Sequence, residues 1–420
     1  MLNTINQNAC YGTQAFISAR QILTGERLSW FYAILMGLYL FTVVTLAGMA
    51  ETAYISKYFG YLVGLTVLLK IFTKGFVVTN ELLLFGGWIL WSLTGALVVV
   101  SHFIFWTWIF TFLQIFILFA LLLRVADNYK NILVLTVFFF LGFLAFAGIT
   151  FLSGSYSLSI ETGERIEGLT ENSNSFAMMI HNMLILQLLF YELTKKKWLK
   201  ISLLALLPLL AKLILASGSK KGFIFFVFIL MVWFFLFHGR DALKKPFYFS
   251  LLIFAGALFI GWLISSLSGS MLGERLDMMQ QTLEGGAGSE GDRVRMELVG
   301  DAIKCFFNHP VIGVGLFNFR FYSSSGLYAH NGYLELLTNG GLIGFILMFG
   351  VYWNLFKKSL KGFKSQLLVI SKVSKIVLVF FSYVALISLV SPMYMGKHHW
   401  VMLGLITAFY EVSRKKRLLN

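Results

Sequence analysis

Long apolar runs separated by short polar segments are the feature that most constrains this sequence. Runs of about 17–25 apolar residues are long enough to cross the hydrocarbon core of a bilayer as helices. Strands are excluded, because the runs lack the alternation of a membrane barrel and open strands would leave backbone groups unpaired in lipid. The sequence therefore predicts an all-α polytopic membrane protein with about twelve transmembrane helices. Their approximate positions are residues 28–48, 58–73, 82–100, 103–123, 131–152, 176–193, 199–216, 222–237, 247–266, 332–355, 375–391 and 399–412.

Composition supports the same class. Hydrophobic residues make up 58% of the 420 residues and charged residues 13%, whereas a soluble domain is about half apolar and a quarter charged. The first apolar run is long enough to span and no small-residue cleavage site follows a short apolar region, so we expect a retained helix and not a cleaved signal peptide. The two cysteines, Cys10 and Cys305, predict neither a disulfide framework nor a metal cluster.

The placement of Lys and Arg predicts the orientation of the chain. With a cytoplasmic N-terminus, about two thirds of the 34 basic residues fall in cytoplasmic segments, as the positive-inside rule requires. Both termini are then cytoplasmic, and the two long loops lie on the opposite side. The net charge of +15 reflects this topology and attraction to anionic membrane lipids, so membrane lipids are expected partners and nucleic acid is not.

These spans divide the chain into five parts, of which the large loop is the only one long enough for a small extracytoplasmic subdomain. The loop contains a Gly-rich hinge at residues 284–289 and an amphipathic stretch at residues 292–307, and we expect it to close over a cavity as a mobile lid. The parts are a cytoplasmic arm (1–27), helices one to nine (28–267, with an external loop at 153–175), the large loop (268–330), helices ten to twelve (331–412) and a basic tail (413–420).

Several cations on the external side run against the orientation bias. Lys220 and Lys221 lie in the turn Ser-Gly-Ser-Lys-Lys-Gly between two apolar runs, where two ammonium groups at a helix start suit a phosphate. Arg293 and Arg295 open the amphipathic stretch that follows the hinge. Interfacial lysines that reach lipid headgroups, and a solvated helix face, are the plain structural alternatives for these two pairs.

A histidine stands at the mouth of the tenth span. His330 is followed by Asn331, and the pattern His-Asn, nine residues, Gly-x-x-Gly ends at Gly341 and Gly344. An imidazole at the mouth of an apolar helix has a solvation cost unless a partner or ligand offsets it. Either His330 caps the helix, or it acts as an acid or base.

Taken in order along the chain, these segments resemble the O-antigen ligase and O-antigen polymerase superfamily of membrane glycosyltransferases, over residues of about 160–390. The Ser-Gly-Ser-Lys-Lys-Gly turn is similar to the family's Ser-Arg-Gly motif, with Lys220 at the Arg position. The stretch from Arg295 to Ile303 and the run Pro310–Gly315 are similar to the family's loop helix and its Pro-x-x-Gly-x-Gly. Gly168 and residues 174–177 resemble its segment entering a middle helix.

The resemblance implies a function in lipopolysaccharide or capsule-type polysaccharide biosynthesis in the bacterial inner membrane. A preassembled glycan would be transferred, with inversion, from undecaprenyl diphosphate to a hydroxyl acceptor at a periplasmic active site. His330, Arg295 and Lys220 would be catalytic, and Lys221, Arg293 and Asn331 would bind the diphosphate. Two departures from the family are Lys220 in place of Arg, which loses bidentate geometry, and Val299 in place of an aromatic residue.

No metal or other cofactor is expected. The external loops lack Asp-x-Asp and His-Glu-x-x-His motifs, and adjacent His398 and His399 would diverge on a helix. Glu51 is the one candidate for a metal-assisted mechanism.

Three functions remain open at this point. We favour a polymerase of O-antigen or capsule-type repeat units, because the Lys-Lys turn and the His-Asn-Gly-Tyr-Leu-Glu run are closer to polymerase variants. The alternative is a ligase whose acceptor is the lipid A core. A transporter of lipid-linked sugars is less favoured, since it predicts repeated halves and charges at mid-depth. Chain-length regulator or flippase proteins are possible partners of the enzyme.

Overall fold

The computed structural model describes residues 29–46, 51–153, 166–170, 172–244 and 290–416, without the side chains of residues 240–244 and 290–292. These residues form helices and turns, and no strand occurs within the ranges just given. In chain order the helices are α1 (Ser29–Thr45), α2 (Ala53–Lys74), α3 (Asn80–Ser92), α4 (His102–Val125), α5 (Tyr129–Leu152), α6 (Ser173–Leu193), α7 (Lys197–Ala205), α8 (Leu207–Ala216), α9 (Lys220–Lys244), α10 (Glu290–Asn308), α11 (Gly332–Phe363), α12 (Leu368–Ile387) and α13 (Lys397–Lys415).

Among the described residues, eight helical segments are long and apolar enough to cross a membrane, with α7 and α8 acting as one. The all-α membrane class is therefore confirmed, and the chain is a multi-pass membrane protein. The count of about twelve spans stays a prediction. Helix α1 is a shorter apolar helix, α3 has 13 residues, α13 falls outside the eight, and the run predicted at residues 247–266 lies outside the described residues.

Two of the spans predicted before α10 are interrupted for local reasons. The run at 82–100 stops being α-helical at Ser92 and continues as a 3₁₀ turn, Leu93–Leu97, where Gly95 lies against the backbone of Gly315. A Cβ at Gly95 would lie 2.9 Å from the Gly315 Cα, so the close approach needs glycine. The run at 199–216 is divided at Leu206, because Pro208 begins the next helix and has no N–H for the preceding turn.

Helix α13 lies at the centre of the bundle. Residues 399–413 are all buried in protein, and the Trp400 ring stacks on Phe85 of α3 at a centroid distance of 3.7 Å. A helix buried all round touches little lipid, so it can carry polar groups that bond to neighbouring helices. His399 contacts the Tyr352 hydroxyl of α11 at 2.8 Å, and His398 contacts the Val43 carbonyl of α1 at 3.1 Å.

The two ends of the bundle differ. At one end, which we call the Lys358 end, the Lys358 ammonium lies 3.0 Å from Glu81 of α3 and 3.1 Å from Glu411 of α13. At the other end, the His330 end, α11 begins and α12 ends side by side, with the Gly332 N–H donating to the Ser388 carbonyl at 2.6 Å. The leaflet that each end faces stays a prediction, as do the cytoplasmic termini.

The amphipathic stretch predicted at residues 292–307 is helix α10, and it packs at the His330 end. Its apolar face buries Leu298, Ala302 and Cys305 against Val314 and Ala329 of the following loop. Val299, where the family has an aromatic residue, is 36% exposed. The predicted hinge at residues 284–289, the external part of the 153–175 loop up to residue 165, and the arm at 1–27 lie outside the described residues.

Candidate functional site

The site is built around a break in α11. Gly341 has φ +62° and ψ −167°, a conformation available to glycine, and a Cβ there would overlap the Val311 carbonyl. The break frees backbone groups that must find partners inside a membrane protein. The carbonyls of Thr338 and Asn339 accept from the N–H groups of Val314 and Gly315 at 2.8 and 3.1 Å.

Two further backbone groups at the break are also bonded. The Leu342 N–H donates to the Pro310 carbonyl at 2.8 Å, and the Trp91 indole N–H of α3 donates to the Gly340 carbonyl at 2.8 Å. The Pro-x-x-Gly-x-Gly run at 310–315 and the Gly-x-x-Gly pattern that begins at Gly341 are therefore in contact with each other. The run 310–315 supplies three of the four hydrogen bonds described at the break, and Trp91 supplies the fourth.

Asn331 starts α11. Its side-chain oxygen accepts from the backbone N–H groups of Tyr333 and Leu334 at 3.0 and 3.1 Å, as an N-cap does. A diphosphate-binding role for Asn331 would have to come from its amide NH₂, since the oxygen caps the helix. In the sequence, Asn331 belongs to the His-Asn motif, and this pattern does not predict that the same residue caps α11.

His330 itself has a left-handed backbone, with φ +52°, which is uncommon outside glycine and concentrates at functional sites. Its imidazole packs on the Tyr328 ring at a centroid distance of 3.9 Å. Burial, and then the positive charges of Lys221 and Arg295, lower the pKa of His330 from 6.5 to about 4. The imidazole is therefore neutral near pH 7 and can accept a proton.

Two predicted cations from distant segments thus act on the same imidazole. Lys221 lies in the first turn of α9, where its ammonium donates to the Val390 carbonyl after α12 at 3.2 Å. Arg295 lies in α10. Burial, and then the charge of Glu335, raise the pKa of Tyr328, and the charge of Arg295 opposes this rise. The structure therefore brings His330, Lys221 and Arg295 into one region. Lys220 is the first residue of α9, next to Lys221.

The turn that carries Lys220 and Lys221 is held by hydrogen bonds to α6. The Ser219 hydroxyl donates to Asn174 of α6 at 2.8 Å and accepts from the Gly222 N–H at 3.1 Å. The Gly222 carbonyl contacts the buried His181 ring at 2.7 Å, and that ring also contacts the Tyr383 hydroxyl of α12 at 3.1 Å. A Cβ at Gly222 would lie 2.7 Å from the Ala177 Cβ. The segment at 174–177 therefore packs against the turn that carries Lys220 and Lys221 and supports it.

A buried carboxylate fixes the backbone before His330. Glu335 is fully buried, and one of its oxygens accepts from the Ala329 N–H at 2.8 Å. Its other oxygen accepts from the Asn339 amide at 3.3 Å, and that amide also donates to the Tyr394 hydroxyl at 3.1 Å. This network joins the left-handed turn at His330 to the last residues before the break.

The other predicted residues lie apart from this cluster. Arg293 is on an exposed face of α10, where its guanidinium lies 3.7 Å from the Glu297 carboxylate. Glu51 is exposed in the turn between α1 and α2. The rings of His398 and His399 bond to different helices. Within the described ranges, no group of three or more His, Cys, Asp or Glu side chains is placed to hold a metal ion.

Comparison with known protein families gives a match. Residues 203–349 match the sequence model of the family described as O-antigen ligase, inside the predicted region of about 160–390. No curated protein matches the chain. The matched segment includes the Lys220–Lys221 turn, α10, the run 310–315, His330 and the break at Gly341. The match confirms the resemblance seen in the sequence, and residues 203–349 carry an O-antigen ligase domain, the domain of a family of glycan-transferring membrane enzymes.

Proposed function

We propose that this protein transfers a preassembled glycan from undecaprenyl diphosphate to a hydroxyl acceptor, with inversion and without a metal ion, on the periplasmic side of the inner membrane. The observation that carries the proposal is the cluster of a neutral imidazole, His330, with two cations, Lys221 and Arg295, from separate segments. A base beside a cationic site is what glycosyl transfer from a lipid diphosphate needs. The base activates the nucleophile, and the cations stabilise the leaving group.

His330 would act as the general base. A sugar hydroxyl becomes a nucleophile as it loses a proton, and a neutral imidazole is the side chain suited to take that proton near pH 7. Burial, together with the charges of Lys221 and Arg295, lowers the pKa of His330 and keeps the imidazole unprotonated before the acceptor arrives. The hydroxyl then attacks the anomeric carbon from the face opposite the diphosphate, the bond to the diphosphate oxygen breaks, and the configuration inverts.

The cations would hold the diphosphate as it leaves. Lys221 and Arg295 carry fixed positive charge, and charge placed where a negative charge develops stabilises the transition state. Lys220, at the start of the same helix, would add a further donor. We expect Lys220→Arg to retain activity and Lys220→Ala to lose most of it, because the family has Arg at this position. Arg293, which pairs with Glu297, would contribute least.

A groove beside the site supports a lipid-linked donor. It has a volume of about 320 Å³ and runs between α11 and α12 from Gly332 and Tyr333, next to His330, to Trp353 and Phe356. Its walls are mainly aromatic, and the rings of Phe345, Phe349 and Trp353 stack in succession along α11. A polyprenyl chain in this groove would place its diphosphate at the cations.

The test is transfer by purified protein given a synthetic undecaprenyl-diphosphate oligosaccharide. His330→Gln should lose transfer by roughly 10²–10⁴-fold, with unchanged folding. His309→Gln, another histidine of the same loop, should keep wild-type activity. Activity of His330→Gln near that of wild type would refute the base, and abolition by excess chelator with rescue by Mg²⁺ or Mn²⁺ would refute the metal-independent mechanism.

Glycan analysis of a deletion strain tests the preference for a polymerase over a ligase. A polymerase deletion leaves a single repeat unit on the core, whereas a ligase deletion leaves long chains that are not attached to it. We expect the single repeat unit.

A further inference from the structure

A second cavity opens at the Lys358 end, away from His330. It has a volume of about 580 Å³ and lies between α5 and α12, with α6 and α13 as its floor. Residues near the first turn of α5 (Tyr129), the last turn of α6 (Leu193), the first turn of α12 (Leu368) and the last turns of α13 (Phe409) line it. A volume of this size is in the range of ligand-binding cavities, about 300–1,000 Å³.

The lining offers almost nothing to a polar ligand. Tyr129 and Thr136 are the polar residues in it, and both are already bonded within the protein. The Tyr129 hydroxyl lies 2.9 Å from the Ser413 hydroxyl, and the Thr136 hydroxyl donates to the Ile132 carbonyl at 2.7 Å. A cavity lined in this way does not hold ordered water, and the ligand that matches its lining is hydrocarbon.

The mouth of the cavity is apolar at its edge and basic around it. Leu368 and Val369, at the start of α12, are 67% and 59% exposed. Lys130 follows Tyr129 in α5, and the Lys416 ammonium lies 4.8 Å from the centre of the Tyr129 ring.

Three carboxylates described at this end of the bundle are already paired. Asp127 is 3.0 Å from Lys70, Glu411 is 2.7 Å from Arg414, and Glu192 is 3.8 Å from Lys372. Among the described side chains, positive charge is therefore in excess beside an apolar cavity in membrane-spanning helices, which is the pattern that binds anionic lipid headgroups.

We propose that this cavity is a binding site for one anionic phospholipid, whose acyl chain fills the space between α5 and α12. Its phosphodiester lies against Lys130 and Lys416. The site is separate from the glycan-transfer site and does not depend on the proposed function. The charge excess favours an anionic lipid over a zwitterionic one, and the closed, apolar floor favours an acyl chain over a polar segment of protein.

The experiment is native mass spectrometry of the full-length protein, stripped of lipid in detergent and titrated with phosphatidylglycerol or phosphatidylcholine of the same acyl chains. We expect one phosphatidylglycerol to be retained, with an affinity on the order of tenfold or more above that for phosphatidylcholine. Equal retention of the two lipids, or retention of neither, would overturn the proposal.

Two variants locate the bound lipid. Lys130→Gln with Lys416→Gln should remove the preference for phosphatidylglycerol, whereas Lys357→Gln with Lys361→Gln, at the same end on α11, should not. Val373→Phe, which fills part of the cavity, should weaken retention of both lipids, whereas Leu62→Phe on the exposed face of α2 should not. Wild-type retention by a folded Val373→Phe, or by the Lys130 and Lys416 variant, would place the lipid elsewhere.

Discussion

At the His330 end of the bundle helices stop, break and are bridged by loops, whereas at the Lys358 end they run on regularly and are joined by side chains. The His330 end satisfies its backbone with other backbone, as when residues 310–315 bond to the break in α11. The Lys358 end joins α3, α11 and α13 through one ammonium and two carboxylates. Interrupted helices leave room for a substrate, and regular helices joined by ion pairs supply the rigid support next to it.

Among the changes that compare the two ends, the removal of both cations at His330 has the largest expected effect. Lys221→Gln with Arg295→Gln should lower transfer by roughly 10²–10³-fold, because the leaving diphosphate loses its fixed positive charges. The same change should alter the pH profile. His330 with a pKa of about 4 is an active base above that pH, so activity is lost as the pH falls through about 4.

Without the repulsion of Lys221 and Arg295, the pKa of His330 rises, although burial still lowers it, and the acid limb of kcat/KM moves to higher pH. Initial rates between pH 4 and pH 8 measure the shift. Arg293→Gln is the control, since it removes a cation of α10 that is paired with Glu297. If the acid limb of the double variant lies at the same pH as that of the wild type, these cations do not lower the pKa of His330.

The next effect concerns stability at the Lys358 end. Lys358→Met should lower the free energy of unfolding by about 3 kcal/mol, since it leaves the buried Glu81 and Glu411 carboxylates without their shared cation. Thermal unfolding in detergent measures the loss, with Lys357→Met as the neighbouring control. The pH profile of transfer by the folded fraction should not change. A shifted pH profile would contradict the assignment of the substrate site to the His330 end and of structural support to the Lys358 end.

Gly341→Ala should cost at least about 2–3 kcal/mol, because the alanine must adopt a backbone conformation reserved for glycine and its Cβ meets the Val311 carbonyl. Gly340→Ala is the matched control one residue earlier. A Cβ there meets nothing within 4 Å, so its effect should stay within about 1 kcal/mol. Equal unfolding temperatures for the two variants would mean that the break does not need glycine.

The smallest effect is expected at the indole that bonds to the break. Trp91→Phe removes the donor to the Gly340 carbonyl and should cost about 1–2 kcal/mol, while Thr94→Val, three residues on, serves as a control that removes only a local hydroxyl bond to the Trp91 carbonyl. A cost in Trp91→Phe no larger than in the control would show that the carbonyl finds another partner.

The two ends also differ in how far the sequence predicts them. His330, Lys221 and Arg295 were predicted because a charge or an imidazole beside an apolar run stands out in one dimension. Tyr328 and Glu335 were not assigned a role, since a tyrosine in a loop and one acid inside an apolar run gain their meaning only from the turn that brings them to His330. Gly313 and Gly341 belong to recognisable sequence motifs, but the sequence does not reveal that they face each other.

The helix boundaries follow the same rule. Apolar length predicts where chain can cross a membrane, so α4, α5 and α6 agree closely with their predicted runs. It does not predict where neighbouring backbone ends a helix, as Gly315 does beside Gly95. Nor does it predict which helix is central. Helix α13 carries His399 and Glu411 because protein surrounds it, and a hydropathy pattern does not distinguish protein from lipid.

The break at Gly341 has a consequence for the order of synthesis. A helix with unbonded carbonyls is costly to release into lipid, so α11 needs its partners as soon as it leaves the insertion machinery. Chain order supplies them, because α3 with Trp91 and the run 310–315 are both made before α11. A circular permutation that placed α11 ahead of residue 310 would keep every contact of the finished protein. In that permuted chain, α11 would enter the membrane before the partners of its unbonded carbonyls had been made.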